Sequence, residues 1–195
     1  MVNSDGDLDL RLLDGHIRIL RQQGATDEQL VTELAGHIFH ESVHDGAGNM
    51  EEVFLGGRPS FGEITTVTAQ LAYYLEKGYK GPTSYNKSMF RNGFKKVQDG
   101  GNNSVDYDIA TYIGVTLILK SLREAYPELV QEIEGVDPLT ACSTIIEKLS
   151  EGDRQQLIPS LKKAIADSTD RKVFGDILNQ TRQDQLEKDS QQQPQ

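Results

Sequence analysis

Three of the chain's four histidines fall within eight residues, and two of them frame the pentapeptide His40-Glu41-Ser42-Val43-His44. On a helix, residues four apart project to the same side one turn above each other, so His40 and His44 can close on one metal ion. The glutamate directly after the first histidine then lies beside a metal-bound water rather than on the metal, where it can act as a base. Zinc suits imidazole donors, and a catalytic zinc normally takes three protein ligands and one water. The third ligand has to come from elsewhere in the chain. Glu63 is the candidate, 63 − 44 = 19 residues past the second histidine and beyond a glycine-rich stretch long enough to reverse the chain. It shares a helical stripe with Val67, Leu71 and Tyr74, which turns its carboxylate inward. Ser60-Phe61-Gly62-Glu63 is also a capping box, in which Glu63 would only reach back to the Ser60 amide.

On a projection at about 100° per residue, His37, His40, Glu41 and His44 occupy one arc, next to an expected buried stripe of Leu30, Val31, Leu34 and Ile38. That is the half-buried placement a metal site needs. The plain alternative is a set of polar residues on the outer face of an amphipathic helix. His37 is surplus to the motif and reads as a surface residue or as a group supporting a ligand.

The elements that must position these residues are helices. Amphipathic spacing runs from Leu8 to Arg21 and stops at Gly24; Thr26 then caps a second helix to about His44, with Gln29 in the capping-box position. Ser60 opens a third helix to about Lys77, and a fourth spans about Ser84 to Val97. The most apolar helix, Ser104 to about Ala125, is expected at the centre. Shorter helices follow Pro127, Pro138 and Asp153, and a last one covers about Arg171–Leu186. The only strand candidate is a short edge piece over Glu52–Leu55. The expected fold class is therefore α: one mainly helical domain over residues 1–186, with the metal site between two consecutive helices. Residues 187–195 read as a disordered Gln-rich tail.

Composition narrows the partners. Lys and Arg number 20 against 30 Asp and Glu, a net charge of −10, which argues against a phosphate-backbone partner and an anionic membrane surface. No apolar run is long enough to span a bilayer. The first residues carry no secretory pattern, so a cytoplasmic setting is the default expectation. The single cysteine, Cys142, excludes an internal disulfide and shares a stripe with Leu139, Ile145, Ile146 and Leu149, as a packed core thiol does.

His40-Glu41-x-x-His44 with Glu63 on the next helix resembles the gluzincin zinc metallopeptidases, over about residues 28–78. The resemblance implies His40, His44 and Glu63 as Zn²⁺ ligands, Glu41 as general base and a peptide or protein substrate. The sequence departs from that pattern in having Asp45-Gly46 after the second histidine and Thr66-Val67 where many members place an acidic residue. No substrate-binding edge strand precedes His40. Tyr73, Tyr79, Tyr85 and His16 are all open as transition-state donors. His44-Asp45, with His16 and Asp106 or Asp108, also looks like an HD-type phosphohydrolase. A catalytically inactive helical interaction module is the third reading. A di-iron bundle would need a second Glu-x-x-His, and the chain has none.

Overall fold

Local chemistry sets where the helices begin and end. The computed structural model describes residues 10–44, 62–77, 84–103, 105–133 and 135–192. In order these form α1 (Leu10–Gln22), α2 (Asp27–His44), α3 (Gly62–Glu76), α4 (Ser84–Gln98) and α5 (Tyr107–Ala125). A 3₁₀ segment (Pro127–Ile133) leads to α6 (Pro138–Lys148), α7 (Glu151–Gln156), α8 (Ile158–Ser168) and α9 (Arg171–Gln192). Gly24 ends the first helical hairpin arm at φ 84°, a left-handed conformation that costs glycine little. Two residues on, the Thr26 amide donates to Gln29 Oε1 (2.9 Å) and the Gln29 amide to Thr26 Oγ1 (3.2 Å), the reciprocal capping box. Asp137 caps α6 ahead of Pro138 at its first position.

The fold is all-helical, and no strand occurs among the described residues. The Glu52–Leu55 stretch, like the glycine-rich stretch between His44 and Gly62 and like Ser60, lies outside them. Helix α5 is the centre, as its composition predicts. Residues from Ile109 to Leu122 are buried on nearly every side of it, and α3, α4, α6 and α8 pack around it. It starts three residues later than Ser104, because the Asp106 carboxylate accepts the amides of Asp108 and Ile109 and fixes the cap there. Helix α2 packs on α3, and α1 on α2. Cys142 belongs to the core, where burial pushes its thiol up to about 12.

One end differs from expectation. Helix α9 continues past Leu186 to Gln192, and residues 186–191 are exposed. Side-chain pairs four apart support it in water: Gln180 donates to Asp184 and Gln185 to Asp189, both at 2.6 Å. No helix among the described residues is long and apolar enough to cross a membrane.

Candidate metal centre

Helix α2 carries the motif, and its buried side is not the one its apolar residues suggest. Val31 and Ile38 are 66% and 48% exposed, whereas Leu30, Glu33, Gly36, Phe39, His40 and Val43 are buried. Those six positions step by three and four, a complete helical face that includes a carboxylate and an imidazole. Burying them requires polar partners on the facing helices, and α3 and α5 supply them.

His40 is the first case. Its Nε2 lies 3.2 Å from Glu63 Oε2, on the first turn of α3. The Tyr107 ring of α5 packs against the imidazole, with centroids 5.6 Å apart. The buried Thr66 hydroxyl donates to the Glu63 carbonyl (3.0 Å) and stands 3.5 Å from Oε2. The structure therefore brings together His40 and Glu63, two of the three residues expected as ligands. Glu41 is half-buried on the same turn. Helix α2 extends to His44, whose side chain lies outside the described residues.

A second cluster occupies the previous turns of α2. His37 is half-buried, not a surface residue, and its Nε2 is 3.1 Å from Nε2 of His16 on α1, the rings meeting edge to face. Glu33, 1% exposed, completes a group in which one donor atom from each of His16, Glu33 and His37 lies within 4.8 Å of the others. These three are a His/Glu set able to hold a metal ion. Burial lowers the pKa of His37 to about 4, helped by the nearby His16 and His40 rings. Burial also lowers that of His16, against the pull of Glu33. Both rings are therefore neutral near pH 7, the form in which imidazole binds a metal.

A hydrogen-bonded seam joins the clusters. Tyr107 donates to Gln70 Oε1 (2.9 Å), Gln70 Nε2 donates to the Tyr74 hydroxyl (2.9 Å), and Tyr74 donates to Glu33 Oε2 (3.0 Å). Tyr74 can reach Glu33 because Gly36 leaves room: a β-carbon there would collide with the tyrosine ring. Burial, with the Glu33 charge beside it, raises the Tyr74 pKa well above the phenol range, so the hydroxyl stays a donor. Between these groups lies a cavity with room for about one water, lined by Glu33, His37, Gln70, Tyr74 and Tyr107 among others.

Other sequence candidates have different engagements. Tyr73 stacks on Phe39 at 5.1 Å. Asp106 and Asp108, proposed for an HD-type site, both bind Lys96 Nζ at 2.8 Å. Asp45, Tyr79 and the Tyr85 side chain are outside the described residues. Glu33, Gln70, Tyr74 and Tyr107 were not singled out for the site by sequence. The available signal was Glu33-x-x-x-His37, a carboxylate and an imidazole at the same i, i+4 spacing as the motif.

The donor chemistry fits zinc. Bonds of 2.0–2.2 Å in a tetrahedron place neighbouring ligand atoms about 3.3 Å apart, and His40 Nε2 and Glu63 Oε2 stand at 3.2 Å. Compared with protein-family models, with curated proteins and with solved structures, the chain matches none.

Proposed function

We propose that the chain is a zinc-dependent hydrolase of the peptidase type, with His40, His44 and Glu63 holding the metal and Glu41 acting as general base. The observation that carries this reading is the 3.2 Å approach of Glu63 to His40, a contact between helices that the motif requires and that a solvated surface helix would not make. Zinc bound there would act as a Lewis acid on a substrate carbonyl and favour ionisation of water.

The chain's own groups have distinct tasks. The imidazole of His40 is held by Tyr107 packing on one side and Glu63 on the other. The Thr66 hydroxyl stands 3.5 Å from the Glu63 carboxylate. Glu41, half-buried and next to His40 in sequence, takes a proton from the attacking water and passes it to the departing amine, completing cleavage of the amide bond.

Two measurements test this. Metal analysis of His40→Ala and Glu63→Gln should show loss of most of the zinc that the parent holds at this site. Glu41→Gln should keep the zinc and lose cleavage of an unstructured protein such as casein. A Glu41→Gln protein as active as the parent sinks the mechanism, and undiminished zinc in both ligand variants sinks the site.

A further inference from the structure

We propose that His16, Glu33 and His37 form a second metal site, distinct from the His40 set, which takes one divalent transition-metal ion and clasps α1 to α2. The inference does not depend on the hydrolase reading.

Three observations support it. First, a hydrogen bond brings the Nε2 atoms of the two imidazoles within 3.1 Å of each other, close to the roughly 3.3 Å edge of a tetrahedral zinc site that would replace it. Glu33 has its donor within 4.8 Å of both, so a side-chain adjustment of at most about 1.5 Å closes the triangle to the roughly 3.3 Å edge. Second, Glu33 is a carboxylate at 1% exposure, and burying such a charge is costly unless cations or strong donors meet it. Tyr74 donates to its Oε2, and a metal ion bound by both imidazoles would add positive charge beside the carboxylate. Third, the water-sized cavity opens on Glu33 and His37, where a fourth, exogenous ligand would sit. Two imidazoles and one carboxylate favour zinc and its first-row neighbours over calcium or magnesium, which prefer all-oxygen shells.

The site is separate from the other because its donors are. His40 directs its Nε2 at Glu63, whereas His37 directs its own at His16. The consequence is structural. Helix α1 packs on α2, and of its residues with described side chains only Leu20 is buried. A metal held by one residue of α1 and two of α2 would make the docking of the N-terminal helix metal-dependent.

The test is a Zn²⁺ titration of the chelator-treated full chain, with metal counted per chain, on the parent, His16→Asn, His37→Asn, and the His40→Ala/Glu63→Gln pair. Circular dichroism confirms that each variant is folded. Two zinc per chain in the parent, one in either asparagine variant and one in the pair is the expected pattern. Loss of a direct ligand should weaken the affected zinc by more than the roughly 10–100-fold typical of supporting residues. Zinc should also slow proteolysis within α1 in the parent and not in His16→Asn. A single zinc that survives the His40/Glu63 changes and is lost in His16→Asn supports this site while refuting the hydrolase ligand set. Unchanged zinc in both asparagine variants overturns the proposal. So does one zinc lost in every variant, which would mean a single shared centre.

Discussion

Tyr74→Phe removes one oxygen and nothing else, which makes it the sharpest probe of the buried seam. The ring would keep its place over Gly36, so no cavity term of consequence arises. What disappears is a 3.0 Å hydrogen bond donated to Glu33 and a 2.9 Å bond accepted from Gln70. A hydrogen bond to a charged group is worth about 1.5–3 kcal/mol, and a buried donor left unsatisfied costs about 1–3 kcal/mol. The adjoining cavity holds about one water, which can re-satisfy the Gln70 amide in part, so the lower ends apply. The expected loss is about 2–4 kcal/mol, or roughly 4–16 °C in Tm for a chain of this size. Urea unfolding of metal-free protein, followed by circular dichroism, measures it directly. The loss should appear as a lower midpoint at unchanged slope. A shift of less than about 0.5 kcal/mol, the range of ordinary surface substitutions, would refute the claim that Tyr74 satisfies the Glu33 carboxylate.

Two other outcomes are expected. Gly36→Ala drives a methyl group into the Tyr74 ring and should cost at least about 1–3 kcal/mol, typical of overpacking; it should also weaken zinc at Glu33 by displacing Tyr74. Full stability in that variant, read from its thermal melt, would mean that α2 and α3 do not approach so closely. Cys142, whose thiol burial pushes up to about 12, should ignore a thiol reagent at pH 8 in the native chain and react at once in denaturant. Prompt labelling of the native protein would contradict its place in the core.

The sequence was readable wherever a signal was local. The Thr26/Gln29 box, the Asp137-Pro138 start of α6 and the central placement of α5 rest on a few adjacent residues or on a whole helix of uniform character. The meeting of His40 and Glu63 was legible too, because a spacing motif and an inward stripe pointed at each other. What failed was the facing of α2. Its apolar residues lie on two sides: Val31 and Ile38 on one, Leu30, Phe39 and Val43 on the other. Hydrophobicity alone could not choose between them. The choice falls to polar complementarity over long sequence separations, such as Glu33 with Tyr74, 41 residues apart. For the same reason Glu33 carries no local signal beyond its i, i+4 spacing to His37, and His37 reads as a surface residue or as a group supporting a ligand: their partners sit on α1 and α3.

The run of donors from Tyr107 through Gln70 and Tyr74 to Glu33 has a polarity. Every hydrogen points towards the carboxylate, and the Gln70 amide takes this orientation because Tyr74, having given its proton to Glu33, can only accept from it. Bonds aligned head to tail polarise one another, so the energy of the chain belongs to its order and not to its links one by one. Double-mutant cycles between Tyr107 and Tyr74, which are linked through Gln70, should therefore show strong non-additivity. In a redesign of this core the four residues would have to be exchanged together for apolar ones or left together, since any partial replacement strands a buried donor or acceptor.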